Sequence, residues 1–148
     1  MSNNKVLVTG GLGFIGANLV PLLEQNNYQV KILDNLSSGS FENIEYSEAE
    51  IIKGDIRNKE DISKAISNCS SVIHLAALGS VTDSIISPEE NFEINVQGTF
   101  NVLNECRLSS VSNIIFSSTG GALIGNSPPP VNELSLPSPI SPYGSGKL

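Results

Sequence analysis

Three glycines and an acid near the amino terminus carry the strongest chemical signal in the chain. In Thr9-Gly10-Gly11-Leu12-Gly13-Phe14-Ile15-Gly16 the glycines stand at G-x-x-G-x-x-G spacing, one residue longer in its first half than the common G-x-G-x-x-G. Gly10 suits a tight turn, Gly13 a close approach of backbone to pyrophosphate, and Gly16 close packing of a helix on the preceding strand. A helix opening there turns free N–H groups and the positive end of its dipole toward an anion. Asp34 follows Gly16 by 18 residues, close to the ~20 at which a ribose-binding acid stands. Its carboxylate can accept from both ribose hydroxyls and would repel a 2′-phosphate. The pattern predicts a dinucleotide site that takes NAD rather than NADP. The competing reading is an ordinary turn with a structural cap. Strand, glycines, helix, strand and acid arriving in that order argue against it.

A second constellation stands at the other end of the chain. Tyr143-Gly-Ser-Gly-Lys147 places a phenol and an ammonium four residues apart, on one face of a helix. A phenol at its ordinary pKa of ~10 is a poor base at neutral pH. A nearby ammonium and a cationic nicotinamide both favour the phenolate. By itself the spacing fits a solvated surface pair equally well.

Other chemistries find little support. His74 is the single histidine, and Cys69 and Cys106 are the two cysteines, without a C-x-x-C. That composition argues against a zinc site, and no metal is expected. Two lone thiols without a disulfide framework fit a reducing compartment, so the expected location is the cytoplasm. Eight Lys and Arg stand against fifteen Asp and Glu, for a formal charge of −7. No basic face for nucleic acid is expected. The apolar stretch from Val6 to Leu23 is interrupted by four glycines, Asn18 and Pro21. It reads as core structure rather than a signal peptide or membrane span.

The elements that must position these groups alternate. Lys5–Thr9 is a short apolar run that suits a buried strand. Ile15, Leu19, Leu22 and Leu23 give the following helix one apolar face. Pro21 lies inside it, where a kink costing roughly 3 kcal/mol is expected unless compensated. Strands are predicted at 29–33, with Asp34 at the carboxyl end, and at 50–53, 71–75 and 113–117. The segment 37–47 reads as a loop with a turn of helix, and 59–67 as a short helix. The longest helix is predicted over 88–107, opened by Pro88, with Phe92, Val96, Phe100 and Leu103 as its apolar stripe. The stretch 120–141 is rich in Gly, Ser and Pro, and a connection that long is usually functional. Pro142 opens a further helix. The order predicts βαβ units with right-handed crossovers and a parallel sheet of about five strands covered on both faces. The fold class is α/β, a Rossmann-type doubly wound sheet, with residues 1–148 as one NAD-binding domain. A helix begun at Pro142 with no strand to follow implies the amino-terminal piece of a longer protein.

Taken together, the motifs resemble the extended short-chain dehydrogenase/reductase family, within it the NAD-dependent nucleotide-sugar epimerases and dehydratases. The resemblance runs through almost the whole chain. Thr9–Gly16 is similar to the family's T-G-x-x-G-x-x-G, and Asp34-Asn-Leu-Ser-Ser-Gly39 to the segment after the second strand in UDP-glucose 4-epimerases. Gly54-Asp55-Ile56 resembles the adenine contact, and His74-Leu-Ala-Ala77 the H-x-A-A loop. Asn95-Val-x-Gly-Thr99 resembles a motif whose Asn stabilises a helix bend. Phe116-Ser-Ser-Thr119 and Ser141-Pro-Tyr-Gly-x-x-Lys147 resemble the end of strand five and the catalytic helix.

The resemblance implies NAD as cofactor, held by Gly10, Gly13, Phe14, Ile15, Gly16, Asp34, Asn35, Ser38, Gly39, Asp55, Ile56, Leu75, Ala76, Ala77, Asn95, Tyr143 and Lys147. Tyr143 would be the general base toward a sugar hydroxyl. Lys147 would bind the nicotinamide ribose and favour the tyrosinate. Thr119, or failing it Ser118, would align the reacting hydroxyl, because one extra glycine blurs the alignment there. His74 would be structural. The expected partner is a nucleotide sugar, and the expected assembly of the longer protein a homodimer, with the substrate domain beyond this chain. Three readings compete: a 4-epimerase, a related dehydratase or decarboxylase, and a catalytically inactive NAD-binding fragment. Family dehydratases follow the equivalent Thr with Asp-Glu, and decarboxylases keep a Glu nearby. Here Gly120-Gly121-Ala122-Leu123 follows, which favours epimerisation. Ile124-Gly125 in place of Tyr-Gly, and Asp83, depart from the family pattern.

Overall fold

A computed structural model describes residues 4–109 and 111–148. They fall into two compact units, Met1–Ala76 with Gly98–Ser117, and Ala77–Gln97 with Ser118–Leu148.

The first unit is a parallel sheet with helices. Its strands are β1 (Lys5–Thr9), β2 (Gln29–Asp34), β3 (Glu50–Lys53), β4 (Ser71–His74) and β5 (Asn113–Phe116). They lie in the order β3-β2-β1-β4-β5, every pair parallel. The central strands are short runs of β-branched and leucine side chains, the pattern of strands covered on both faces. Val6, Val8, Val30, Ile32 and Ile73 form the core with Leu12, Val20 and Ile44. The order of strands reverses between β1 and β4. In such sheets ligands bind beyond the carboxyl ends of the strands at that reversal.

Helices α1 (Phe14–Gln25), α2 (Lys59–Ile66) and α5 (Thr99–Leu108) belong to this unit. Helix α2 follows its sequence pattern: the Asn58 side chain accepts from the Glu60 N–H, and Ile62, Ala65 and Ile66 are buried. The buried face of α1 differs from the prediction. Ile15 and Leu22 are exposed, and Gly16 and Val20 are buried instead. The cause is Gly16: a Cβ there would meet the Gly11 backbone, so the helix turns this side to the sheet. Helix α1 runs on through Pro21. The expectation of a sheet covered on both faces fails at β5, where all four residues are exposed. It is the last strand of the described sheet and has a neighbour on one side only.

The second unit holds α3 (Val81–Ile86), α4 (Pro88–Phe92), most of a π-helical turn (Glu93–Gly98), α6 (Gly121–Ile124) and α7 (Pro142–Gly146). The single helix predicted over 88–107 is therefore three pieces, and its expected apolar stripe is inverted. Phe92 is 57% exposed, and Phe100, Val96 and Leu103 are exposed too, whereas Asn91 and Asn95 are each 1% exposed. The reason is hydrogen bonding. Asn95 Oδ1 accepts from the Leu78 N–H at 2.9 Å, and Asn95 Nδ2 donates back to the Leu78 carbonyl at 3.0 Å. Asn91 Nδ2 donates to the same carbonyl at 3.3 Å. These bonds satisfy the backbone of the half-buried loop at Leu78. Helix α3 was not predicted, although Ser80 caps it by accepting from the Asp83 N–H at 3.1 Å. Helix α6 likewise interrupts the stretch read as irregular. Among the described residues no helix is long and apolar enough to cross a membrane, and no group of three His, Cys, Asp or Glu is placed to hold a metal ion.

Candidate functional site

In the first unit the expected cofactor residues gather at the carboxyl ends of β1, β2 and β3. Gly10 takes φ +69°, and a Cβ there would lie 2.7 Å from the Ala76 nitrogen. Only glycine permits both the left-handed turn and this approach of two loops. Gly13 is different. A Cβ on it would meet only the Gly10 carbonyl, at an ordinary 3.4 Å. Nothing inside the first unit requires glycine there, which leaves the cradle open for a ligand to approach the backbone. Gly13 is also the N-cap of α1 and offers no side-chain cap, so the first N–H groups of the helix keep their capacity for an anion. Phe14 and Ile15 are exposed beside them.

Asp34 is buried, and backbone holds its carboxylate. Oδ2 accepts from the Leu12 N–H at 3.0 Å and Oδ1 from the Leu36 N–H at 2.8 Å. Each oxygen keeps a second acceptor position, as two vicinal hydroxyls require. Asn35 and Ser38 are exposed after it. Gly39 has its missing side chain turned against Leu12, so packing accounts for that glycine. Ile56 is buried in the core. Asp55 lies in an ion pair. Arg57 Nε donates to Oδ1 at 3.0 Å and Nη2 to Oδ2 at 2.7 Å. The Arg57 guanidinium holds the Asp55 carboxyl well below the usual carboxylate range, against the opposing effect of burial and with help from the Arg57 N–H and Asn35. Beside them an open cleft of about 570 Å³ is lined by Asp55, Arg57, Asn58, Lys59 and Glu60.

His74 is buried and bridges structure, as its position at a strand end implied. Its Nδ1 lies 2.6 Å from Thr9 Oγ1 and its Nε2 3.0 Å from Thr99 Oγ1. Thr9 Oγ1 also accepts from the Ala76 N–H at 3.3 Å. The chain of bonds ties the glycine turn to the loop after β4, where Leu75 and Ala76 are half-buried.

In the second unit α7 presents Tyr143 and Lys147. Pro142 occupies the first turn, and Ser141 caps it by accepting from the Gly144 N–H at 3.0 Å. Tyr143 is half-buried. Lys147 is 3% exposed, and burial pushes its pKa down. Ser118 Oγ donates to the Lys147 carbonyl at 2.7 Å. Its hydroxyl is thus spent on the end of α7, which leaves half-buried Thr119 as the stronger candidate toward a substrate. Asn95, expected near the cofactor, spends its amide on Leu78. Ala77, on the same loop, is exposed.

Comparison with known proteins now decides the family. The family model for the NAD dependent epimerase/dehydratase family matches residues 6–148. The chain belongs to this family. It is similar to a putative UDP-glucose 4-epimerase of Methanocaldococcus jannaschii, 43% identical over 145 residues, which cover 96% of this chain and 47% of that protein. Among solved structures, the UDP-glucose 4-epimerase of Thermus thermophilus in complex with NAD superposes with TM-score 0.90 at 38% identity, over 97% of this chain and 47% of that one. That of Thermotoga maritima with UDP-glucose gives TM-score 0.92 at 39% identity over the same shares. The chain spans about half the length of the curated relatives it matches.

Four residues that hold these backbones, Asp61, Asn91, Asn101 and Gly144, are not among the candidates that the sequence offers. Asp61 Oδ2 accepts from the Asp55 N–H at 3.0 Å. Asn101 Nδ2 donates to the carbonyls of Ile56 and Arg57, both at 3.2 Å. Together they hold the 54–57 backbone. Gly144 lets α7 close on the Ala122 carbonyl, and its place between Tyr143 and Lys147 was a readable signal. Asn91 and Asn101 carried none, since a polar residue in a helix reads as solvent-facing.

Proposed function

We propose that this chain is the NAD-binding and proton-transferring part of a nucleotide-sugar 4-epimerase. The observation that carries the cofactor is the pairing of an unfilled cradle at Gly13 with Asp34, whose oxygens each keep one acceptor position. Gly10 to Gly16, the N-terminus of α1 and Asp34 would hold the pyrophosphate and adenosine ribose. A 2′-phosphate would meet the Asp34 carboxylate, so NAD is favoured over NADP. Bound NAD supplies a reversible hydride acceptor. Tyr143 takes the proton from the sugar C4 hydroxyl and returns a proton when the opposite epimer forms. Lys147 holds the nicotinamide ribose, and its charge favours the phenolate. Thr119 aligns the reacting hydroxyl. Epimerisation is favoured over dehydration because Gly120-Gly121-Ala122-Leu123, directly after Thr119, carries no carboxylate, and water elimination needs one there for its proton transfers.

The whole protein is proposed to be a cytoplasmic homodimer acting on a nucleotide sugar. The exposed apolar side chains of Phe100 and Leu103 on α5 support an apolar partner surface. The test is incubation of the longer protein with a panel of UDP- and dTDP-sugars, with products resolved as epimers or 4-keto sugars. Epimers are expected, and Tyr143→Phe is expected to abolish them while sparing NAD binding. Formation of 4-keto products, or full activity of the Phe variant, overturns the reading. The 148-residue chain alone is expected to show little turnover, and robust conversion of UDP-glucose by it would refute that.

A further inference from the structure

The Leu12–Gly13 peptide is held at both edges. The Gly13 N–H donates to the Gly10 carbonyl at 3.2 Å. The Leu12 carbonyl accepts from Asn43 Nδ2 at 2.8 Å and from the Ser40 N–H at 3.4 Å. A carbonyl has two lone pairs, and both are engaged. A short 3-10 turn, Phe41–Ile44, brings Asn43 to this place. Ser40 Oγ caps the turn by accepting from the Glu42 N–H at 3.3 Å, and the Asn43 N–H donates to the Ser40 carbonyl at 3.2 Å. The neighbouring Ile44 is buried in the core, which anchors the turn. Asn43 itself is exposed, so the core does not depend on its side chain.

We propose that Asn43 is a positioning residue for the cofactor's pyrophosphate: it fixes the plane of the Leu12–Gly13 peptide and with it the open cradle at Gly13. The proposal rests on the reading that this cradle takes the pyrophosphate. Glycine turns freely about φ, so the backbone on the Gly13 side resists a tilt of that plane only weakly. Of the three bonds that oppose the tilt, the one from Asn43 is the shortest, and those at 3.2 and 3.4 Å stand at the weak end of the range. The Leu12 N–H belongs to the preceding peptide and donates to Asp34 Oδ2 at 3.0 Å. Losing the Asn43 amide therefore loosens the backbone at the pyrophosphate and leaves the ribose acid in its bond.

The test measures affinities for NAD, ADP and adenosine on the native chain, on Asn43→Ala and on Asn43→Leu. Calorimetry reads NAD and ADP directly, and adenosine by competition against ADP. Hydrogen exchange at the Gly13 amide is followed alongside. Both substitutions remove the donor without adding charge. Each is expected to weaken NAD and ADP by about tenfold, the scale of one hydrogen bond, and to leave adenosine within about threefold. Adenosine carries no phosphate and does not sense the cradle. Exchange at Gly13 is expected to speed up while the urea midpoint stays near the native one. NAD and ADP affinities within about threefold of the native ones in both variants overturn the proposal. So does an equal loss for ADP and adenosine, which marks a loosening of the whole site. If far-UV circular dichroism shows one variant unfolded, the other decides. Unfolding of both also overturns the proposal, because a positioning residue leaves the fold intact. If the native chain binds neither NAD nor ADP, the cofactor reading fails first and takes the proposal with it. Native binding of both, unchanged in the variants, sinks the proposal alone.

Discussion

Gly10 and Gly13 belong to one motif, yet the geometry assigns them opposite kinds of work, and alanine at each separates the two. At Gly10 an added Cβ would sit 2.7 Å from the Ala76 nitrogen, 2.8 Å from its Cα and 3.1 Å from the Leu75 carbonyl carbon. All three are backbone atoms and cannot rotate away. The left-handed φ of +69° costs a non-glycine residue about 1–2 kcal/mol. Forcing the loop after β4 aside adds about 1–3 kcal/mol of overpacking strain and stretches the bond from the Ala76 N–H to Thr9. Gly10→Ala is thus expected to lose about 2–5 kcal/mol of stability, against the roughly 5–15 kcal/mol a domain has, or roughly 4–20 °C in Tm at this chain length. At Gly13 the backbone is extended at φ −76°, and the nearest atom to an added Cβ lies at 3.4 Å. Gly13→Ala is expected to leave stability unchanged or to raise it by about 0.4–1 kcal/mol through the unfolded chain. Its methyl fills the open side of the cradle, so NAD affinity is expected to fall by about tenfold or more. Urea titration and calorimetry read the two effects independently. Equal destabilisation by both substitutions, or unchanged NAD affinity in Gly13→Ala, would refute the reasoning.

Asn95→Ala strips the Leu78 N–H of its acceptor, while Asn91 still serves the carbonyl. A loss of about 1–3 kcal/mol is expected, with faster hydrogen exchange at the Leu78 amide. Exchange at the native rate would contradict the role. Burial lowers the Lys147 pKa below its ordinary 10.5. Between the depressed folded value and 10.5 the unfolded chain binds the proton that the folded chain has lost, so stability rises with pH across that window. The cost of charging Lys147 is fully felt below the window and relieved above it. Urea midpoints followed with pH should climb more steeply for the native chain than for Lys147→Met, and parallel curves would refute the burial argument.

How much of this was legible in the sequence depended on whether backbone or side chains governed each element. The parallel sheet could be read, because β1, β2 and β4 are apolar runs closed by glycine or polar residues. The glycine turn and Asp34 could be read, because their spacing follows from backbone geometry at a strand–helix junction. The helix over 88–107 was misjudged because its hydrophobic period was assigned to the core. In the structure the Asn91 and Asn95 amides turn inward to satisfy Leu78, and Phe92 turns out. Side-chain bonds to a distant loop leave no trace in periodicity. The α1 face slipped for a related reason, since Gly16 contributes nothing to a hydrophobic pattern while dictating which side meets the sheet. At the candidate site, Tyr143 and Lys147 were visible as a spacing. The donors that fill Asp55 come from positions 35 and 57 and meet only in the folded chain.

The proposed preference for NAD rests on Asp34 facing the adenosine ribose. The direct measurement is calorimetric titration of the native chain with NAD and with NADP at equal ionic strength. NAD is expected to bind more tightly by about tenfold or more, and Asp34→Asn to narrow the gap, since a 2′-phosphate would no longer face a carboxylate. Equal or tighter binding of NADP by the native chain would contradict it.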